Sequence, residues 1–273
     1  MGTQTLSRSG IVSPRHEARI LLEKVSNMSR LQMITNPDQT LPSDVKETFM
    51  RLLKARGQDR MPVSRLVGER EFWSLSFQLS SATLDPRPDS ETLIEGILSH
   101  VLEAKPLKVL DLGTGSGCLL ITLLTEFKVS WGVGIDLSRE ALLTAQLNAK
   151  NLGVSERSHF IQMDWARGLQ ETFNVIVSNP PYIPENEVPT LSPEVRLYDP
   201  YQALTAGPEG LESYRYIAPE MKRLLVPGGL CAIEIGKGQQ EPVEDLFIKA
   251  GLTLLEWRSD LAGISRCGFF VNR

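Results

Sequence analysis

Cysteine is scarce in this chain: Cys118, Cys231 and Cys267 are the only three in 273 residues. They are scattered, without paired spacing or a zinc-binding pattern. The expectation is buried thiols in a reducing compartment and no metal. A long apolar run is missing, as is an apolar signal core near the N-terminus. That predicts a soluble, cytoplasmic protein with no membrane partner. Arg8, its neighbouring serines and Arg15 leave a processed mitochondrial form as the alternative, and acidic Glu17 counts against it. An excess of positive charge is missing too. The formal net charge of −4 argues against a large phosphate-binding surface and hence against a nucleic-acid partner. Repeats and low-complexity tracts are absent. With 41% hydrophobic residues, the chain can bury a core in one large or two modest domains.

The most informative segment that is present is Asn179-Pro180-Pro181-Tyr182. It follows an apolar run over 173–177 that reads as a buried strand. Two prolines end strand pairing abruptly, and the first holds Asn179 extended. An amide is thereby fixed at the carboxyl end of a strand, the edge where open α/β sheets bind ligands. Together with the Pro180 carbonyl, the Asn179 side-chain oxygen can accept both N–H bonds of a planar NH2 group.

Upstream, 109–112 reads as a strand leading into Gly113-Thr114-Gly115-Ser116-Gly117 and then an apolar helix. The spacing is G-x-G-x-G. It lacks the G-x-G-x-x-G of dinucleotide sites and the Lys-Ser/Thr of a P-loop. Asp111 stands just ahead of the glycines, where a pyrophosphate would be repelled. The expected ligand therefore carries a nucleoside and a cationic or zwitterionic tail. Asp136 ends the next strand, about 20 residues on, where a carboxylate accepts ribose hydroxyls. A third strand-like run, 159–163, ends in Asp164-Trp165. Trp165 is placed to cover an adenine face and Asp164 to accept from its exocyclic amine. Read structurally, Asp136 is instead a helix N-cap and Trp165 plain packing.

Along the chain, residues 1–14 are expected to fray. Helices are expected from Pro14, with Ser13 as N-cap, over 29–34, and over 42–53, with Ser43 as cap and Arg56-Gly57 as terminator. Phe72, Leu75, Phe77 and Leu79 suggest a hairpin, and 85–88 a proline-rich linker. A helix is expected over 89–104. Strands near 107–112, 131–136, 159–163, 173–178 and 229–235 then alternate with helices, and 252–258 and 267–271 form a closing antiparallel hairpin. This is an α/β fold: a doubly wound, mostly parallel, seven-stranded Rossmann-like sheet with a small N-terminal helical domain. The expected division is 1–60 helical domain, 61–88 hairpin and linker, and 89–273 catalytic domain. The proline-rich stretch 183–210 is long enough for a substrate-side lid.

The glycine turn, Asp136, Asp164 and Asn179-Pro180-Pro181-Tyr182 resemble the S-adenosylmethionine-dependent methyltransferases of planar nitrogens. Within that class the chain resembles the HemK/PrmC family of release factor glutamine N5-methyltransferases. The narrower likeness rests on 85–91 (DPRPDSE), Glu234-Ile235-Gly236 and 260–266 (DLAGISR). Ser90 stands where the family usually has threonine, and Asp85 where it more often has an apolar residue. The resemblance implies S-adenosylmethionine as methyl donor, bound by Asp111, Gly113, Thr114, Gly115, Ser116, Gly117, Asp136, Asp164, Trp165 and Asn179. It implies a release-factor glutamine in a Gly-Gly-Gln loop as acceptor, met by Arg87, Pro88, Asn179, Pro180, Pro181 and Tyr182. Asn179, Pro180 and Tyr182 are the expected catalytic residues. Glu234 is read as a partner of strand-end backbone rather than as a base. The alternatives are an adenine-N6-type nucleic-acid methyltransferase and a non-catalytic S-adenosylmethionine-binding protein.

Overall fold

The computed structural model describes residues 2–36, 38–102 and 105–273. They fall into two compact units, Met1–Glu69 with Leu191–Tyr198, and Arg70–Thr190 with Asp199–Arg273.

The first unit is helical: α1 (Gly2–Arg8), α2 (Pro14–Ser26), α3 (Arg30–Thr35), α4 (Ser43–Gly57) and α5 (Val63–Val67). Its small core gathers Leu6, Ile11, Ala18, Leu21 and Leu53. Residues 2–8 are thus not frayed, because Leu6 is wholly buried and its apolar surface drives the short helix to pack. Ser13 makes no side-chain cap; Pro14 starts α2 with a ring that needs no N–H partner. Ser29 caps α3 in a reciprocal capping box with Gln32. Pro42, not Ser43, holds the N-cap position of α4. The segment Leu191–Tyr198, expected within a lid, belongs to this unit. Glu194 in its helical turn Pro193–Arg196 pairs with Arg56 at 3.0 Å and Arg60 at 2.5 Å. Arg56 also binds Glu17 at 2.5 Å, so this buried guanidinium is doubly neutralised.

A hairpin follows, of strands β1 (Glu69–Phe72) and β2 (Leu75–Gln78). Trp73 and Ser74 turn it with φ of 52° and 58°, the geometry of a two-residue hairpin turn made here without glycine. A 3-10 turn, Pro88–Ser90, leads into α6 (Glu91–His100). The helix expected over 89–104 stops early because Val101 is extended; residues 103–104 lie outside the described residues.

Next come β3 (Lys108–Leu112), α7 (Cys118–Glu126), β4 (Trp131–Asp136), α8 (Arg139–Asn151), β5 (Ser158–Gln162) and β6 (Phe173–Ser178). They are followed by α9 (Glu212–Leu224), β7 (Leu225–Glu234), α10 (Gln240–Lys249), β8 (Thr253–Ser259) and β9 (Ser265–Val271). Seven strands form one sheet in the order β5-β4-β3-β6-β7-β9-β8. The first five are parallel neighbours, and β9 runs antiparallel to both β7 and β8. Side chains alternate between two buried faces. Val109, Val175 and Val177 join α6 and α7 on one face. Leu110, Leu112, Phe173 and Ile176 join α9 and α10 on the other. Among the described residues, no helix is long and apolar enough to cross a membrane.

Helix α6 crosses β9 at Gly96, where an added Cβ would lie 2.0 Å from the Phe269 ring. Gly96→Ala is expected to destabilise the protein by about 1–3 kcal/mol through overpacking. A thermal melt that fails to shift downward would show that the ring can move aside.

Candidate active site

The chain reverses its direction of sheet growth at β3, so a crevice opens between the carboxyl ends of β3 and β6, where such sheets bind ligands. Leu112 and Ser178 stand side by side in this parallel pair, locked by the Ser178 hydroxyl donating to the Leu112 carbonyl at 2.6 Å. The residues that follow, the glycine turn and Asn179, are therefore brought together. A cavity of about 340 Å³ lies there, within the usual range for small-ligand sites. Its wall includes Gly113, Thr114, Gly115, Ser116, Asp136, Asp164, Trp165, Asn179, Pro181 and Arg87.

The turn is built by φ of 75° at Gly113, 54° at Gly115 and 81° at Gly117, values that favour glycine. The Gly113 and Thr114 amides donate to the Ile135 carbonyl, each at 2.9 Å. Gly117 has a packing role: a Cβ there would meet Ile121 at 2.8 Å and Ala145 at 3.1 Å. Asp111 is fully buried beneath the turn and does not line the cavity. Its Oδ2 accepts the Thr114 hydroxyl at 2.7 Å. Burial pushes its carboxyl up to about 7 despite that bond.

Asp136 is not the N-cap of α8; Ser138 is, accepting from the Ala141 amide. The Asp136 carboxylate instead accepts from the Gly115 amide at 2.9 Å and the Ser138 amide at 2.8 Å. Burial raises its pKa, and these backbone donors oppose the rise. Each oxygen retains acceptor capacity for a hydroxyl in the cavity. Asp164 is exposed and lies 3.6 Å from Arg167. Trp165 takes a left-handed φ of 50°, a strained conformation for a bulky residue. Its ring is the nearest neighbour to a Cβ built on Gly113, at 3.9 Å. The cavity thus has a glycine floor, a carboxylate on one side and an indole near the turn. Below the floor lies the buried Asp111 carboxyl, which disfavours an anion above it. These features fit a nucleoside with a cationic tail and disfavour a phosphate.

The other side of the cavity carries Asn179 and Pro181. Pro180 is buried, Pro88 is exposed, and neither lines the cavity. Tyr182 lies behind the turn, its hydroxyl donating to Glu234 Oε1 at 3.4 Å. Burial raises the Tyr182 pKa, so the phenol stays neutral. Arg87 reaches the cavity and is paired with buried Asp199.

Three residues here make contacts that sequence reasoning does not anticipate. Ser90 accepts from Asn179 Nδ2 at 3.0 Å and donates to Glu234 Oε2 at 2.5 Å. Its hydroxyl is free for this because it makes no cap bond to α6. Glu234, 2% exposed, therefore bonds side chains; the strand-end contact is made by its main-chain carbonyl, which accepts the Tyr214 hydroxyl at 3.1 Å. Gln239 donates to the Tyr182 and Gly210 carbonyls at 2.9 and 3.2 Å, clamping the turn. No local signal marked these contacts; Ser90 lies inside the helix expected over 89–104.

This fold and cleft define a methyltransferase domain, and residues 103–248 match that family description. Residues 1–68 match the PrmC N-terminal domain. The chain is 41% identical to the release factor glutamine methyltransferase of Caulobacter vibrioides over 94% of its own length and 89% of the relative's. It is also 41% identical to the enzyme of that name from Rhodospirillum rubrum, covering 97% of this chain and 81% of that one. The chain belongs to this family, the release factor glutamine methyltransferases. Solved structures share the fold at low identity. A Pyrococcus furiosus methyltransferase has a TM-score of 0.55 at 15% identity, covering 83% of this chain and 98% of that one. The hMettl16 catalytic domain in complex with a MAT2A 3'UTR hairpin has 0.60 at 13%, covering 82% and 80%.

Proposed function

We propose that this protein transfers a methyl group from S-adenosylmethionine to the side-chain amide N5 of the glutamine in the Gly-Gly-Gln loop of class I peptide chain release factors. The observation that carries the reading is the hydrogen bond from Asn179 Nδ2 to Ser90. With its NH2 so engaged, Asn179 offers Oδ1 to the cavity that it lines. An oxygen there suits a planar NH2 donor, and the curated relatives' names supply glutamine as its bearer.

The sulfonium of the donor supplies an activated methyl group. An amide nitrogen is a poor nucleophile, since its lone pair is delocalised into the carbonyl. Orientation is what the chain must provide. Asn179 Oδ1 accepts one N–H bond and turns the nitrogen towards the methyl group. The Pro180 carbonyl lies outside the cavity wall and is the proposed acceptor of the second N–H once the substrate amide is seated against the turn. Such positioning can be worth roughly 7–11 kcal/mol. The same acceptors stabilise positive charge as it grows on nitrogen. Pro181 contributes apolar wall and Tyr182 anchors the turn through Glu234. Asp136 takes the ribose hydroxyls, Trp165 covers the base, and Asp164 accepts from its amine. Gly113 to Ser116 leave backbone space for the cationic tail, and Arg87 guards the acceptor side. Residues 1–60 act as the recognition domain for the release factor, a role supported by the match to the PrmC N-terminal domain. The free thiols, two buried and one half-buried, suit the cytoplasm.

The test is a transfer assay with isotopically labelled donor, offering release factor, DNA and RNA separately. Label is expected in the release factor. Label in a nucleic acid with none in the release factor would overturn the reading.

A further inference from the structure

We infer that Ser90 and Glu234 are positioning residues that set which end of the Asn179 amide meets the substrate, and that the charge on Glu234 selects between the two. The inference rests on the amide-transfer reading above and deepens it.

A serine hydroxyl carries one proton and two lone pairs. Ser90 spends its proton on Glu234 Oε2 at 2.5 Å. Its lone pairs then face Asn179, 3.0 Å away, and a lone pair accepts only a donor. Asn179 must therefore place Nδ2 at Ser90 and Oδ1 in the cavity. The arrangement holds while Glu234 is ionised and accepts from both Ser90 and Tyr182. Once protonated, Glu234 becomes a donor. The Ser90 proton is then released to turn towards Asn179, where it favours Oδ1. The Asn179 amide rotates, and NH2 faces the substrate NH2. Donor meets donor, and the acceptor that orients the nitrogen is lost. A protein amide and a buried hydroxyl thus make a two-position device, read out by one carboxylate.

The surroundings place this change near neutrality. Burial pushes Glu234 up to about 7, opposed by the Ser90 bond and the Arg266 guanidinium and reinforced by Asp89. Arg266 and Cys267 face it from β9, Asp89 from the 3-10 turn, Tyr182 from the catalytic turn, Tyr214 from α9 and Cys118 from α7. Strand β6, its other neighbour in the sheet, has no ionisable side chain. The tyrosines and cysteines stay neutral, because burial raises all four. Asp111, also pushed up to about 7, lies beneath the glycine turn and is not among the groups that face Glu234, so E234Q and S90A leave its titration in place. A group poised near neutrality titrates where the enzyme works.

The experiment measures kcat against pH, between about 5.5 and 8.5, for the wild type, E234Q, S90A and S90T. Cofactor affinity is measured in parallel by calorimetry, and folding by thermal melts. The wild type is expected to gain kcat with rising pH through an acid limb near 7. E234Q and S90A are expected to lose that limb and to run at least about tenfold slower at the alkaline plateau. S90T should restore most of what S90A loses, since it keeps the hydroxyl. Cofactor affinity should move by less than about twofold, because neither side chain is asked to touch the cofactor. S90A provides the test independently if E234Q does not fold. An unaltered acid limb in either variant would overturn the inference, as would losses confined to cofactor affinity. The substrate reading is judged separately. A wild type that labels RNA in place of release factor refutes that reading, while the pH comparison still judges the device, because an adenine amine presents the same planar NH2.

Discussion

Asn179→Ala is expected to lower kcat by roughly 10²–10³-fold, the usual scale for removing one preorganised hydrogen-bonding group from a reacting centre. Cofactor affinity should fall much less. Asn179 sits where the acceptor side of the cavity meets the glycine turn, so a small binding loss is compatible with its role. The backbone should not move. Pro180 and Pro181 keep the turn stiff, Ser178 still ties β6 to β3, and Gln239 still holds the Tyr182 carbonyl. What disappears is the acceptor that turns the substrate nitrogen. The loss belongs to the transition state and appears in kcat at saturating substrate. Asn179→Asp makes a sharper comparison. It keeps an acceptor but removes the NH2 that Ser90 holds, so it should also fall well below wild type. A variant without Asn179 that turns over at near the normal rate would remove the orienting role altogether.

Asp136→Ala is expected to weaken S-adenosylmethionine binding by about 1.5–3 kcal/mol, the cost of losing hydrogen bonds to a charged group. In a titration this is roughly a 10- to 150-fold rise in Kd. The carboxylate has two functions in one place. It receives the Gly115 and Ser138 amides, fixing the turn against the start of α8. Its remaining lone pairs are assigned to the ribose hydroxyls. Alanine removes both, and Asp136→Asn separates them. Asparagine can still accept one backbone amide but carries no charge, so an intermediate loss is expected. Calorimetry with unchanged affinity in Asp136→Ala would sink the ribose assignment. A large fall in melting temperature without cofactor would show that the turn, not the ligand, bears the loss.

The centre of the sheet was legible because β3 and β6 are buried on both faces. The runs 109–112 and 173–177 are apolar at all but one position each, and each is followed by a glycine turn or by prolines that fix where it ends. The site was legible wherever one short segment held several functional groups, as at Gly113 to Gly117 and Asn179 to Tyr182. Contacts between distant segments were not. Ser90 and Asn179 are 89 residues apart, and Ser90 and Glu234 are 144 apart; no local pattern announces either contact. Ser90 lies inside the helix expected over 89–104, so its position alone gave it no role at the site. The helix α1 escaped because a single buried leucine, Leu6, gives no periodicity. Asp111 was placed at the ligand by its position in the motif, and its complete burial beneath the turn depends on packing from both faces of the sheet. The stretch 183–210 read as one loop; the membership of Leu191–Tyr198 in the helical unit comes from charge pairing with Arg56 and Arg60, which are over 130 residues away in sequence.

The central claim is tested most directly by peptide mass spectrometry of a class I release factor after incubation with the protein and S-adenosylmethionine. The account predicts a single added methyl group on the glutamine of the Gly-Gly-Gln loop. The methyl group should be absent when that glutamine is replaced by alanine and strongly reduced when Asn179→Ala replaces the wild-type enzyme. A methyl group on another residue, or an unmodified release factor beside a methylated nucleic acid, would contradict the account.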